Sequence, residues 1–478
     1  MPAAAELVDR LARYGQEHVV RFWDELGELD RAKLKQEIDA IDWAQIDRLI
    51  DAFVRKPDRV EFELDFERIR PPRVERLPRT DAERSTRRIA CEIGASALSA
   101  GTVAVVLVAG GQGTRLGFDG PKGCYPIGAV SNASLFQIHA EKIAAVSRKF
   151  GKCVPLYMMT SPENTNATDA FWRRNRQFGL EHVRIFEQGR LPAVDRESGK
   201  VLLAEKGRIA LSPSGHGGTL AALAAAGSEG NTSPLDEMAR LGIDTIFYFQ
   251  VDNPMVKIAD PSFIGPHLQA NAEASFKVIE KIQPDEKLGV VVEYDGGLRV
   301  IEYSDLPARL GEEREPDGSL RHWAGSIAVH LFERSFLERL AAASIELPFH
   351  RAVKKVQYID DKGILIVPDA PNAIKFESFI FDTLPLAERS VLVETDRSVE
   401  FEPLKNATGP DSPATVRARM TELFAGWLEG AGARVERSAD GSIPFDIEIS
   451  PLFAHSASEL KSKIEPGLVV NKPLDLRE

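Results

Sequence analysis

A mostly parallel, doubly wound α/β sheet is the fold this sequence predicts, on three observations. The runs VAVVLV (from Val103) and TIFYFQV (Thr245 to Val251) are short, unbroken and apolar, rich in β-branched and aromatic residues, as strands buried on both faces must be. Segments of helical character alternate with such runs, the pattern of strand–crossover–strand units. A glycine-rich loop follows the first run at once, at the kind of strand end where these sheets bind ligands.

Ahead of the sheet, residues 1 to about 95 read as a helical N-terminal segment. Leu7, Leu11, Tyr14, Phe22 and Leu26 recur at helical spacings. Asp42 is placed to cap a second helix, with Gln45 three residues on and Ile41 and Ile46 spaced as a hydrophobic staple. Pro57, Pro71, Pro72 and Pro78 then punctuate a charged connector. The catalytic region is expected over 96–395. After the first strand, a helix runs from about Ser134 to Phe150 and ends at Gly151. Val154 to Met159 is the next strand, Ser161 and Pro162 start a helix that stops at Gly179, and Val183 to Phe186 is a third strand. LGVVVEY and LRVIEY, joined by Asp295-Gly296-Gly297, read as a hairpin. Residues 396–478 read as a small α+β C-terminal domain, with a helix near Ser412 to Leu428 and short strands at Phe445 to Ile449 and Gly467 to Val470.

Composition narrows the function. The 478 residues carry 60 Lys and Arg against 72 Asp and Glu, a net charge of −12, which argues against non-specific nucleic-acid binding. No apolar run approaches the length of a membrane span. Glu6 and Asp9 interrupt the apolar core a signal peptide would need, and Cys91, Cys124 and Cys153 include no CxxC pair. The expectation is a reduced, cytoplasmic, soluble protein.

The most informative stretch is Ala109-Gly-Gly-Gln-Gly-Thr-Arg-Leu-Gly117, followed by Pro121-Lys122-Gly123. Gly110, Gly111 and Gly113 let backbone N–H groups approach phosphate oxygens, and Arg115 and Lys122 add charge suited to a pyrophosphate. The spacing is neither a Walker loop nor the dinucleotide fingerprint, since Leu116 stands at the third glycine position. Asp252 closes the run TIFYFQV and is expected at the same sheet edge. There it can anchor Mg²⁺, which takes few protein carboxylates alongside phosphate oxygens. Gly215 and His216 lie in Ser212-Pro-Ser-Gly-His-Gly-Gly218, a loop suited to a planar ligand, with His216 either facing that ligand or serving the fold. No HxxxH or HxD pattern suggests a metal hydrolase.

Taken together, AGGQGTRLG with PKG, FEQGRLPA (186–193), FYFQVDNPMVKIADPSFIG (247–265), VIEYSDLP (300–307), AGSIAVH (324–330), LPFHRAVKK (347–355), IKFESFIFD (374–382) and EFEPLKNA (400–407) resemble the eukaryotic-type UDP-N-acetylhexosamine pyrophosphorylases. The resemblance implies a GT-A-like Rossmann nucleotidyltransferase domain and the reaction of UTP with a sugar 1-phosphate to give a UDP-sugar and pyrophosphate. It implies that Ala109, Gly110, Gly111, Gly113 and Thr114 line the nucleotide, with His216 beside it, and that Gln188 and Gly215 read the uracil. Arg115 and Lys122 would hold the triphosphate, and Asp252 the magnesium. Glu302, Tyr303 and Ser326 would face the sugar, with Phe379 and Phe381 shaping its pocket. Lys375 and Lys405 would meet phosphate groups, Lys405 on the sugar side. The two phenylalanines fit core packing equally well, and the two lysines fit an ordinary surface. The family pattern carries Asn where Ser326 and His216 stand, and a Gly-His-Gly loop is closer to the UDP-glucose enzymes. N-acetylglucosamine 1-phosphate is the expected sugar substrate. The alternatives are glucose or other sugar 1-phosphates and, more remotely, a non-catalytic nucleotide-sugar-binding protein.

Overall fold

Nine strands form the central sheet: β1 Val103–Val108, β2 Leu156–Thr160, β3 Val183–Glu187, β4 Thr245–Gln250, β5 Ala274–Glu280, β6 Val290–Tyr294, β7 Gly297–Ile301, β8 Ala324–Glu333 and β9 Ser390–Glu394. The structure, a computed structural model, describes residues 2–56, 64–226 and 232–477, so Pro57 lies outside the described residues. The order along one path is β7-β6-β8-β4-β1-β2-β3, with β5 pairing β8 and β9 pairing β5. Strands β4, β1, β2 and β3 are parallel. Strand β8 runs antiparallel to β4, β5 and β6, while β9 is parallel to β5, so only β7 and β8 oppose the common direction. The expected mostly parallel sheet is present, and β1, paired with β4 on one side and β2 on the other, is buried from Val103 to Leu107, as its unbroken apolar run requires.

Contacts divide the chain into two units, each assembled from distant segments. One comprises Met1–Arg68, Gln188–Thr219 and Glu346–Asp382; the other comprises Ile69–Glu187, Leu220–Ile345 and Thr383–Glu478 and holds the sheet. This division does not follow the linear 1–95, 96–395 and 396–478 scheme. In the first unit the N-terminal helices bury Leu11, Leu34, Ile38 and Ile46 in one cluster with Val194, Val201, Ile374 and Phe376, residues from far along the chain. In the second unit, Val416, Phe424, Leu428, Ile447 and Ile449 of the C-terminal segment share the core of β1 and β4. A hydrophobic cluster does not respect chain order.

Several local expectations are corrected. The first helix ends at Ala12, and Phe22 and Leu26 lie beyond it, flanking the 3₁₀ turn Trp23–Glu25, because the chain turns at Gly15, whose φ is +66°. Asp42 does cap the helix Trp43–Ile50, accepting the Gln45 N–H at 3.0 Å. Just past the proline connector, within the stretch read as the N-terminal segment, a 20-residue helix, Asp81–Ala100, starts, capped reciprocally by Thr80 and Glu83. That helix belongs to the sheet unit. Gly94 lies under Pro261, and Gly265 under Ala90, so closely that a Cβ would meet their carbonyl oxygens at 2.3 and 1.8 Å. The segment after β2 does not enter a helix at Ser161; the helix is Thr165–Arg174, since residues 161–164 form a turn closed by the Asn164 side chain on the Ser161 N–H at 2.9 Å. Helix Leu135–Phe150, between Ser134 and Gly151, and the hairpin turning at Asp295 and Gly296 match the reading. Among the described residues, no helix is long and apolar enough to cross a membrane.

Candidate active site

The glycine loop is shaped by its own backbone and by one buried amide. Lys122 N–H donates to Gly111 O at 3.0 Å, and Gly113 N–H donates to Gly120 O at 2.9 Å, closing residues 111–122 into a compact turn. Asn164, fully buried, donates from Nδ2 to Ala109 O at 3.0 Å and Gly111 O at 3.4 Å. Carbonyls are thus drawn inward. The N–H groups of Gly110 and Gly111 make no hydrogen bond among the described residues, so both can serve an anion. Gly113 differs from its two neighbours: its amide is already bonded, and a Cβ there would meet Phe118 at 2.8 Å. Its absent side chain serves packing. Thr114 and Arg115 are exposed in a single 3₁₀ turn, and Arg115 has no ion-pair partner among the described residues.

Asp252 stands two residues past β4, as expected. Its Oδ2 lies 3.7 Å from Lys122 Nζ, with both side chains less than one-fifth exposed. A cation and a carboxylate therefore converge beside the two unbonded glycine amides. Leu404 N–H donates to Asp252 O at 2.8 Å, which sets Lys405 one residue from that contact. Asn253 turns the other way. It is buried and donates to Glu400 O at 2.7 Å, while its Oδ1 accepts from Met255 and Glu402 N–H.

The second group of sheet residues gathers at Gly289. Ser326 N–H donates to Gly289 O at 2.8 Å, and a Cβ on Gly289 would meet Glu302 Oε1 at 3.2 Å. Ser326 and Asp252 both lie four residues past the last β8–β4 pair, His330 with Tyr248, so they share one sheet edge. Tyr303, next to Glu302, is 47% exposed.

The other unit holds the remaining candidates. Its two-stranded ladder pairs Arg190 with Pro213, and continuing that register past the ladder sets Gln188 opposite Gly215. Gln188 is 7% exposed, and its amide makes no hydrogen bond among the described residues. Gly215 has φ +83°, and a Cβ there would meet Ser378 O at 2.4 Å; one at Gly217 would meet Phe379 N at 2.6 Å. These glycines admit the Ser378–Phe379 backbone, a role that spacing alone does not distinguish from contact with a planar ligand. His216 accepts the Ile380 N–H at Nδ1 (3.2 Å) and sits against Phe379 and Phe381, at 5.2 and 5.6 Å between ring centroids. Burial, then the neighbouring His350, pushes its pKa down to about 4, so it is a neutral acceptor. Phe379 packs on Phe381 at 4.9 Å and on His350 at 4.6 Å, and His350 Nε2 pairs with Asp382 Oδ2 at 2.9 Å. Lys375 is half-buried on the strand Ala373–Ser378, where alternation sets it on the face opposite Ile374 and Phe376.

In the sheet unit, the sequence reading missed Asn164, Glu400 and Lys142, whose Nζ donates to Pro254 O and Val256 O just past Asp252; in the other unit, it missed His350 and Asp382 beside Phe379. Glu400, His350 and Asp382 stand inside the quoted motifs, but nothing in their spacing distinguishes them from surface polar residues.

The family model described as UTP–glucose-1-phosphate uridylyltransferase matches residues 47–411. The UDP-N-acetylhexosamine pyrophosphorylase-like protein 1 of Homo sapiens is 37% identical over 100% of this chain and 98% of its own. The UDP-N-acetylglucosamine pyrophosphorylase of Saccharomyces cerevisiae is 38% identical over 80% of each chain. The crystal structure of the uridine diphosphate N-acetylglucosamine pyrophosphorylase from Trypanosoma brucei, in complex with an inhibitor, gives a TM-score of 0.83 at 26% identity, covering 100% of this chain and 99% of that one. A family match over most of the chain, and relatives alike from end to end, leave one conclusion: this chain belongs to the UTP–glucose-1-phosphate uridylyltransferase (UDPGP) family.

Proposed function

We propose that the protein is a uridylyltransferase that converts UTP and N-acetylglucosamine 1-phosphate into UDP-N-acetylglucosamine and pyrophosphate. The observation that carries this reading is the convergence of Lys122 and Asp252, 3.7 Å apart, beside the unbonded amides of Gly110 and Gly111. An oxygen of the sugar phosphate attacks the α-phosphorus of UTP, and the bond from that phosphorus to the β-phosphate bridge breaks. The nucleophile is already ionised at neutral pH, so no general base is needed. Catalysis rests on alignment and on neutralising charge at the α-phosphorus and the departing pyrophosphate. Lys122 and Arg115 supply fixed positive charge for the triphosphate, and the glycine amides supply aligned donors. Glu302, Tyr303 and Ser326 are assigned to the sugar, and Lys405 to its phosphate. In the other unit, Gln188 and Gly215 are assigned to the uracil with His216 beside it, Phe379 and Phe381 to the sugar wall, and Lys375 to a phosphate.

Magnesium fits this set. Among the described residues, no cluster of three His, Cys, Asp or Glu forms a protein cage, and Asp252 offers one accessible carboxylate. One such anchor completed by phosphate oxygens is how Mg²⁺ is commonly held. When bound, the ion would neutralise phosphate charge. We place the activity in the cytoplasm, in keeping with three free cysteines.

The test is a panel of sugar 1-phosphates crossed with UTP and other nucleoside triphosphates, with and without Mg²⁺, read by pyrophosphate release. Highest kcat/KM for N-acetylglucosamine 1-phosphate with UTP is expected. Ser326 favours one rival, glucose 1-phosphate, because its hydroxyl reaches less far than an amide toward an N-acetyl group. UDP-sugar binding without turnover on any pair would overturn the enzymatic reading.

A further inference from the structure

Beneath the Asp252 turn lies a set of buried charges that the proposed chemistry does not use. Glu400 and Lys277 are each 1% exposed, with Lys277 Nζ 2.7 Å from Glu400 Oε2 and 3.0 Å from Asp260 Oδ2. Thr395 Oγ1 donates to Glu400 Oε1 at 2.5 Å, and the Lys257 ammonium lies 3.7 Å from that oxygen. Burial raises the Asp260 pKa, but Lys277 and Lys257 more than offset it and hold the carboxyl well below its usual range. Buried charges without such partners would be strongly destabilising.

The cluster reaches the active turn through the main chain. Lys257 N–H donates to Glu400 Oε2 at 3.3 Å, and Glu400 O accepts from Asn253 Nδ2 at 2.7 Å, so Glu400 holds residues 253 and 257 with different atoms. From the opposite side, helix Leu135–Phe150 presents His139 and Lys142, three residues apart and therefore on one face. His139 Nε2 donates to Val251 O at 3.0 Å, while Lys142 Nζ donates to Pro254 O at 2.5 Å and Val256 O at 2.8 Å. Burial pushes the Lys142 ammonium down to about 7, against the opposing pull of Glu400. Backbone oxygens of residues 251, 252, 254 and 256 are all engaged. The Asp252 carboxylate is left directed at Lys122.

We propose that Glu400 is a positioning residue for the Asp252 carboxylate, acting with Lys142 through the main chain of residues 251–257 to set the site's affinity for a divalent cation. The inference rests on the reading of Asp252 as the metal-side carboxylate. A partner that orients a metal ligand is worth about tenfold or more in affinity or activity, and Glu400, bonded only to protein groups, is expected to act on affinity. The test is Mn²⁺ binding, read by electron paramagnetic resonance in the presence of UDP-N-acetylglucosamine, for wild type, Glu400→Gln, Asp252→Asn and the double variant, with Mg²⁺-dependent kinetics alongside. In Glu400→Gln the Mn²⁺ Kd rises about tenfold and the Mg²⁺ half-saturation point moves with it, while kcat at saturating Mg²⁺ changes much less. On the Asp252→Asn background the same change adds less than about twofold, because the residue it orients is gone. Should Glu400→Gln fail to fold, Lys142→Met decides, with Mn²⁺ affinity expected to fall. Wild-type Mn²⁺ binding in the folded Glu400→Gln, or in Lys142→Met, overturns the proposal, as does a full additive loss in the double variant. Wild-type Mn²⁺ binding in Asp252→Asn overturns instead the assignment of Asp252.

Discussion

The turn around Asp252 and the loop around Gly215 are held in different ways. The Asp252 turn is held by charge and hydrogen bonds from elements far away in sequence: Lys142 and His139 on one helix, and Glu400 and Leu404 on a late segment. The Gly215 loop is held by close backbone approach and ring packing: Ser378 and Phe379 fill the space that side chains at 215 and 217 would take, and Phe379 and Phe381 lie on His216. A turn fixed by buried ions is sensitive to the charge and protonation of distant groups. A loop fixed by absent side chains is sensitive to added atoms at its own positions.

That contrast can be broken in several places. The largest effect is expected at the charged pair: Lys122→Ala and Asp252→Ala each lower turnover by about a hundredfold or more, by analogy with loss of a single electrostatic group elsewhere. Their unfolding midpoints should stay near wild type, since the pair is a contact between partly exposed side chains. Pyrophosphate release and thermal melts measure both, and unchanged turnover in either variant would remove its assigned role.

Gly215→Ala should act the other way, on stability first. The positive φ and the 2.4 Å approach to Ser378 O predict a loss of about 1–3 kcal/mol in urea unfolding, with weakened uridine nucleotide binding. Should the variant be as stable as wild type, the loop would not be shape-held at all.

Acid sharpens the comparison, because each region contains a histidine whose pKa the fold lowers. Burial, reinforced by Lys142, lowers the His139 pKa from 6.5 to about 3, and burial and His350 lower that of His216 to about 4. Between those values and 6.5 the unfolded chain binds more protons than the folded one. Both histidines therefore contribute stability that is complete above about 6.5 and lost as pH falls toward 4 and then 3. Thermal midpoints should drop over that window, and His139→Gln and His216→Gln should each flatten the slope. A slope unaltered by both substitutions would show that other groups control acid unfolding.

The smallest effect concerns selectivity. Ser326→Asn supplies an amide with both donor and acceptor at the edge shared with Asp252. It should raise the ratio of kcat/KM for N-acetylglucosamine 1-phosphate over glucose 1-phosphate by several-fold, about 1 kcal/mol of discrimination. An unchanged ratio would place the sugar's acyl group elsewhere.

Legibility in the sequence followed the same divide. The glycine loop, β1, β4 and Asp252 could be read because each is local: an apolar run sets a buried strand, and the residues just after it must emerge at its end. The helix Asp81–Ala100 also carried a local sign, Thr80 with Glu83, hidden by the prolines ahead of it. The Lys142, Lys277 and Glu400 cluster had no such sign, since a lysine bound for the core and one bound for water look alike until the partner's position is known.

By itself the sequence determined which residues stand at the strand ends, the alternation that makes the sheet, and the motifs that mark the family, because these depend on neighbours a few residues away. Only the tertiary structure decided that Gly113 serves Phe118, that Asn164 draws in the loop's carbonyls, and that the buried charges of Glu400, Lys277 and Asp260 gather beneath the Asp252 turn. Those depend on long-range packing: an ion is stable in a core only where the fold brings its counter-charge and hydrogen-bond partners within reach.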